Sequence, residues 1–464
     1  MSTLHTGRDD AAVPQRARLL PTAQRKSLIA VVAGNFLEWF DWTLYALLTT
    51  YLAANFFNTG DPQSAVLSTL TVFAGGFLAR PLGGLIFGVV GDKLGRKASL
   101  VICMLLMGAG SLMIALIPSY DSIGVWASVL LLTARLAQGI AHDGESGNAY
   151  TYLAEIAPAK KRGLWGSSIM MTMLLGIMAA TALSILLTSV FPKAEMLEYG
   201  WRYAFAAGAL LAIFALYLRS QAAESGFFVE AKATHGSART VTKRQLTIIA
   251  VRILMLSLLT NVLYYTWVSF ASSFTISGKG MDPNGAYIAT FAAQTLAFIA
   301  LPFMGWLSDR IGRRRQLTIW AVAVIVVVFP ISAILTSEPW TLFVSQGISL
   351  LVWAIQSSIH STIMAEQAPT EARATSVGIW TSVGAALSGG TAPYLYTWLS
   401  SMQLGWVFSL YIVVLAIATL VTIRFIPETA GIEMNEIPLP GEQASSDAAA
   451  SADSDRTAVL TAKE

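Results

Sequence analysis

The chain has 464 residues, of which 55% are hydrophobic and only 12% charged, and its mean hydropathy is +0.60. Soluble globular chains carry about 25% charged residues, so these proportions exclude a protein held in solution by its own surface. The net charge of +3 decides little alone. The single cysteine, Cys103, excludes an internal disulfide or a multi-cysteine metal site and reads as a small buried hydrophobe.

In chain order, residues 1–27 come first, with Arg8, Arg16, Arg18, Arg25 and Lys26 among polar positions. The apolar run that follows is too long for a signal-peptide core and lacks a cleavage motif. The start therefore reads as a cytoplasmic tail leading into a retained span. Stretches of about 20 apolar residues, enough to cross a bilayer as helix, recur near 28–54, 64–90, 99–117, 123–142, 164–190, 201–219, 246–275, 285–307, 316–335, 340–363, 374–399 and 404–426. The expected fold is all-α, with twelve transmembrane helices in two pseudo-symmetric bundles of six at 28–219 and 246–427. A polar linker at 220–245 joins them, and the Ala/Ser/Asp-rich segment 428–464 reads as a disordered tail.

Charge orients the spans. With the N-terminus inside, 25 of the 30 basic residues fall in cytoplasmic segments. Only Lys193, Arg202 and Lys279 fall in outer loops. This bias places both termini in the cytoplasm of an inner membrane. Arg80 and Arg135 lie inside spans.

The halves echo each other. Gly88, Asp92, Gly95, Arg96 and Lys97 match Gly305, Asp309, Gly312, Arg313 and Arg314 at an offset of 217. Glu155, Pro158 and Arg162 match Glu366, Pro369 and Arg373 at an offset of 211. Duplicated halves place a binding site between them near the midplane. Basic loops alone could be lipid anchors. One Asp and two Gly in fixed register point instead to a tight turn and a latch, so Asp92, Arg96, Lys97, Asp309, Arg313 and Arg314 are the candidate gate.

These loops resemble the signature of the major facilitator superfamily. Within it the chain is similar to the metabolite:proton symporters, which include permeases for 2-oxoglutarate, citrate, shikimate and proline/betaine. The resemblance rests on Gly34-Asn35-Phe36-Leu37-Glu38-Trp39-Phe40-Asp41-Trp42, on Ala79-Arg80-Pro81-Leu82-Gly83-Gly84, and on Arg135-Leu136-Ala137-Gln138-Gly139 followed by Gly144-Glu145. His142-Asp143-Gly144-Glu145 departs from the Gly-Gly-Glu common in that family. The resemblance implies proton-coupled import of a small metabolite by alternating access. A zwitterionic solute such as proline or betaine is the alternative to an organic acid; the short tail without heptads favours the acid.

Ionisable groups inside a membrane are costly and mark function. Glu38, Asp41, Arg80, Arg135, Asp143 and Glu145 all lie in the first half. Asn35, Glu38, Asp41 and Tyr45 share one helix face, as do Arg135, Gln138, His142 and Glu145. Desolvation favours a protonated carboxyl and a nearby Arg opposes it, so Asp41, Glu38 and Glu145 are candidates for proton coupling. Arg135 and Arg80 suit a substrate carboxylate, or else form ion pairs with Asp41 or Glu38. Tyr45 and Gln138 join them as substrate contacts, with Tyr264, Trp353 and Gln356 on the neutral second half. His142 and His360 could relay protons or simply pack. No phosphate-cradling loop, nucleophile–base pair or metal cluster is present in the sequence. The expectation is therefore a transporter and not an enzyme. It would need no cofactor or metal and no nucleic acid. Its partners would be protons, a small anionic substrate and membrane lipid, and it would act as a monomer.

Overall fold

The computed structural model describes residues 22–442 apart from 59, 95, 143–149, 152, 156, 221–240, 370–372 and 435; side chains are described from residue 33, except at 84, 85, 88, 89, 91–100, 218–220 and 374. Helices dominate. In the first half they are α1 (Thr22–Leu47), α2 (Thr49–Phe56), α3 (Pro62–Leu94), α4 (Arg96–Leu116), α5 (Val125–His142), α6 (Arg162–Val190) and α7 (Trp201–Ser220). In the second half they are α8 (Lys243–Leu263), α9 (Ala271–Lys279), α10 (Pro283–Ile311), α11 (Arg313–Ile334), α12 (Pro339–Ser357), α13 (His360–Glu366), α14 (Arg373–Gly384), α15 (Ala392–Ser401) and α16 (Gly405–Arg424).

Local sequence sets the helix starts. Thr242 and Gln245 form a reciprocal capping box at α8. Asp282 accepts from the Gly285 amide, and Pro283 opens α10 without needing a donor. Breaks occur at mid-depth, where π-helical turns at Tyr264–Ser269 and Ala385–Gly389 interrupt the rods.

Among the described residues, eight helical stretches are long and apolar enough to cross a membrane. Their outer faces expose Leu186, Leu210, Ile213, Val326 and Val421, each more than half accessible. Apolar area on this scale calls for lipid around a multi-pass protein.

The two halves pack alike. In the first, α1 lies on α6, α3 on α5 and α4 on α7; in the second, α8 lies on α14, α10 on α12 and α11 on α16. The same pairing pattern repeated is what a duplicated bundle produces. The halves meet where α6 crosses α10, and where α3 meets α14, α15 and the Ala385–Gly389 turn.

One expectation is corrected. Residues 428–442 are not a disordered tail. Thr429, Ile437 and Leu439 are buried, and Gln245 donates to the Pro440 carbonyl at 3.3 Å. The Glu428 carboxylate accepts from the amides of Arg313 and Arg314 at 2.8 and 3.1 Å, capping α11. Orphan amides at a helix start recruit an anion, and composition alone does not show that partner. Residues 443–464 lie outside the described residues.

Candidate functional site

Two arrangements stand out: a charged cluster inside the first half, and a latch at the end that carries the basic loops.

The cluster begins at α1, where Asp41 is buried. Its carboxylate accepts from Ser111 Oγ on α4 and from Gln138 Nε2 on α5, the latter at 2.7 Å. Gln138 Nε2 also lies 3.0 Å from Ser111 Oγ, and Arg135 Nη1 donates to Gln138 Oε1 at 2.9 Å. An amide thus stands between guanidinium and carboxylate, with its oxygen toward the cation and its nitrogen toward the anion. Arg135 does not pair directly with Asp41, as the ion-pair expectation had it; the side chain of Gln138 fills the space between them.

Arg135 is fully buried, and its Nε and Nη2 have no hydrogen-bond partner among the described residues. Its guanidinium lies 4.1 Å from the Trp42 ring centroid and 4.3 Å from that of Tyr45. Arg80 lies 4.2 Å from Trp42 and 4.1 Å from Phe77. Aromatic faces hold both cations by their quadrupoles, which leaves donor edges for another acceptor at Arg135. Glu38 reaches His142, with Oε1 2.7 Å from Nδ1.

The remaining expected contacts divide. Tyr45 and Gln138 are committed inside the first half: the Tyr45 hydroxyl donates to the Thr69 carbonyl at 2.9 Å, and Gln138 bridges Arg135 and Asp41. Tyr264 faces the first half, its ring 5.4 Å from Trp39 and 5.9 Å from Trp353. Gln356 Nε2 lies 3.0 Å from His360 Nδ1. Glu145 and Asp143 lie outside the described residues.

The latch joins the halves at the basic end. Asp309 on α10 accepts from the amides of Gly163 and Leu164, at 2.8 and 2.9 Å, and from Arg313 Nη1 at 2.9 Å. A carboxylate from one half thereby caps the start of α6 in the other. Arg162 Nη1 donates to Glu366 Oε1 at 3.1 Å, and Arg373 Nη1 to Glu155 Oε1 at 2.6 Å. Glu366 Oε2 accepts from Thr429 Oγ1 at 2.6 Å and lies 3.5 Å from Arg313 Nε. Arg314 is not a bridge: its amide donates to Glu428 and its Nη2 faces the Arg424 carbonyl within its own half. The side chains of Asp92, Arg96 and Lys97 lie outside the described ones.

The 211-residue echo already contained these bridges. Its acidic and basic members pair crosswise, Arg162 with Glu366 and Arg373 with Glu155. A second signal was also present. Arg135, Gln138 and His142 recur as Trp353, Gln356 and His360 at an offset of 218.

The opposite end is also bonded across the halves. Tyr287 donates to the Leu47 carbonyl at 2.8 Å, and Ser273 donates there at 2.9 Å. Asn284 donates to Thr188 and Ser189 on α6 at 3.1 and 2.8 Å. The halves are therefore closed on each other at both ends.

Glycine makes the closure at the basic end possible. A Cβ on Gly305 would come within 2.6 Å of the Gly163 carbonyl, and one on Gly163 within 2.6 Å of the Gly305 carbonyl. Gly305→Ala should therefore hold α6 and α10 apart. Overpacking costs about 1–3 kcal/mol, so the latched population should fall by roughly 5–150-fold. Alkylation of a Ser361→Cys probe from the side of the basic loops would read this, and an unchanged rate would mean that the crossing does not hold that end closed.

Comparison with known proteins agrees with this architecture. Residues 31–393 and 280–452 match the family model of the Major Facilitator Superfamily. The chain is 34% identical over 414 residues to the alpha-ketoglutarate permease of Escherichia coli (strain K12), covering 88% of this chain and 95% of that one. It is 31% identical over 423 residues to the proline/betaine transporter of the same organism, covering 88% and 84%. Among solved structures, the proton:xylose symporter XylE bound to 6-bromo-6-deoxy-D-glucose superposes with a TM-score of 0.72 at 16% identity, covering 89% of this chain and 98% of that one. The duplicated helix pairing, the lipid-facing perimeter and these matches together make the chain a member of the major facilitator superfamily, a membrane transporter and not an enzyme.

Proposed function

We propose that the protein imports a small organic acid together with protons, by alternating access across the cytoplasmic membrane, with both termini and the basic loops inside. The carrying observation is Arg135, buried with two donor nitrogens unpartnered and joined to Asp41 through one amide. With Asp41 ionised, the Gln138 dipole stabilises both charges. Protonation of Asp41 removes the anion and leaves Arg135 as an uncompensated buried cation. Such a charge costs several kcal/mol, and an incoming carboxylate relieves it with a bidentate pair. Proton and anion then bind better together than apart, and that coupling is reciprocal. The similarity to the alpha-ketoglutarate permease supports a carboxylate cargo.

A second reading, a quaternary or zwitterionic amine, is favoured by one observation. Trp39, Tyr264 and Trp353 present neighbouring aromatic rings between the halves, a setting that suits an onium group. The proline/betaine relatives support it.

Uptake into proteoliposomes under an imposed pH gradient, screened across mono-, di- and tricarboxylates and betaines, tests both. Arg135→Lys keeps the charge but loses the planar fork. For a carboxylate cargo it should weaken binding by about tenfold or more, since each tenfold is about 1.4 kcal/mol. Betaine uptake with carboxylates inert would reverse the assignment.

A further inference from the structure

A crevice of about 40 Å³ lies within the first half, lined by Gly34, Glu38, Asp41, Met107, His142 and Gly208 among others. Every lining residue belongs to α1, α4, α5 or α7, so the crevice does not lie between the halves. Asp41 is at one end. Gly34 is seven residues nearer the basic end of α1, about 10 Å along a helix. The space admits water, and a water can bridge by hydrogen bonds polar groups that do not touch.

Glu38 and His142 stand beside this crevice. They face each other from α1 and α5 at 2.7 Å. Glu38 is one helical turn from Asp41 on the same face. The His142 ring is buried, stacked on Trp42 at 4.6 Å and edge-on to Trp39 at 5.2 Å. The titratable and charged groups around it are Glu38 and Asp41 on α1, Arg80 on α3 and Cys103 on α4. Arg135 adds to them on its own helix, and Tyr264 lies beyond Trp39.

The internal copy provides a comparison within one molecule. The Gln-x-x-x-His spacing of Gln138 and His142 recurs as Gln356 and His360. In the second half Gln356 turns to its own His360, whose ring meets Tyr150 edge-on at 6.0 Å. In the first half Gln138 turns instead to Asp41, and His142 has Glu38. Among the described residues, carboxylates serve only the copy that opens on the crevice.

We infer that Glu38 and His142 form a second proton-binding site, through which the proton leaves Asp41 by a wet route inside the first half, apart from the substrate's path between the halves. The inference rests on the proton-symport reading above. In the step, protonated Asp41 gives its proton to a crevice water and becomes a carboxylate. The Glu38–His142 pair gains one proton, then passes it to water at the basic end. Nothing is oxidised or reduced.

His142→Ala in proteoliposomes tests this, with substrate uptake driven by a pH gradient and substrate counterflow at equal pH measured side by side. Gradient-driven uptake should fall on the order of tenfold or more, the scale of losing a positioned proton acceptor. Counterflow should stay near wild type, and imidazole loaded inside the vesicles should restore uptake. Glu38→Gln should lose uptake in the same way and gain nothing from imidazole. Normal gradient-driven uptake in both variants overturns the inference, and so does loss of uptake that imidazole cannot restore in His142→Ala. Loss of counterflow in both would place the pair in the substrate site and also overturn it. If the wild-type protein itself ignores the pH gradient, it is the symport reading that fails, and that is seen before any variant is made.

Discussion

Asp41→Asn is expected to abolish proton-driven accumulation while sparing exchange of substrate across the membrane. The substitution is nearly isosteric. An Asn oxygen can still accept from Gln138 or Ser111, the two donors that hold the carboxylate, so the helices around it should stay packed. What is lost is the group that titrates. A permanently neutral side chain mimics the loaded state, in which Arg135 calls for an anion. Such a carrier can bind substrate and cross in either direction loaded, but it cannot return empty with Asp41 ionised. A gradient of one pH unit is worth about 1.36 kcal/mol, or about tenfold accumulation per proton. In the variant the accumulation ratio should collapse to one, with counterflow near wild type. Parallel uptake and counterflow assays decide the matter. Normal accumulation would remove Asp41 from the coupling machinery, and loss of counterflow in folded protein would make it part of the substrate site.

How far the sequence reached follows from what each signal measures. Hydropathy and the basic loops read backbone burial and charge, so the helical order and the duplication are legible in the sequence. The first-half cluster is legible too, because buried charge is costly enough to be rare: Asp41, Arg80 and Arg135 are all buried inside the spans that hydropathy marks. Pairing was not visible. Helical spacing puts Arg135 and Gln138 on one face of α5 and Asp41 on a face of α1 but says nothing of which bonds which, and the inserted amide depends on side-chain length and rotamer. Composition misleads at residues 428–442 for a related reason. Ala/Ser/Asp-rich composition reports weak self-packing, whereas Glu428 and Thr429 are held by partners more than sixty residues away in sequence, the α11 amides and Glu366. The crosswise gate pairs lay in the 211-residue echo, yet that echo served only as evidence of duplication. A duplicated acid and base that face each other across a two-fold axis must meet as two exchanged pairs.

Those exchanged pairs are chemically equal and physically unequal, which gives a second large effect. Glu366 is fully buried, and Arg162, Arg313 and Thr429 converge on it. Glu155, its symmetry mate, is 38% exposed and bonds Arg373. Removing one partner of a buried pair costs about 3–5 kcal/mol because the other charge stays buried and uncompensated. At the mate only Arg373 is buried; Glu155 reaches water, and the guanidinium keeps the Ala365 and Ala368 carbonyls as acceptors, so losing the Glu155 carboxylate costs less, closer to the roughly 0–1 kcal/mol of exposed pairs. The cost of Glu366→Gln falls on the state closed at the basic end, since only there do Arg162 of the first half and Arg313 of the second share one carboxylate. The equilibrium should therefore move toward the state open at that end by about a hundredfold or more, whereas Glu155→Gln should move it several-fold at most. Alkylation of the Ser361→Cys probe from the basic side should rise steeply in the first variant and little in the second. Substrate affinity measured from the opposite side should fall in the same order. Thr429→Val, which removes one donor from the same carboxylate, should fall between them. Equal effects at Glu366 and Glu155 would show that burial does not set the strength of the latch, and an unchanged rate in Thr429→Val would show that Thr429 plays no part in holding it closed.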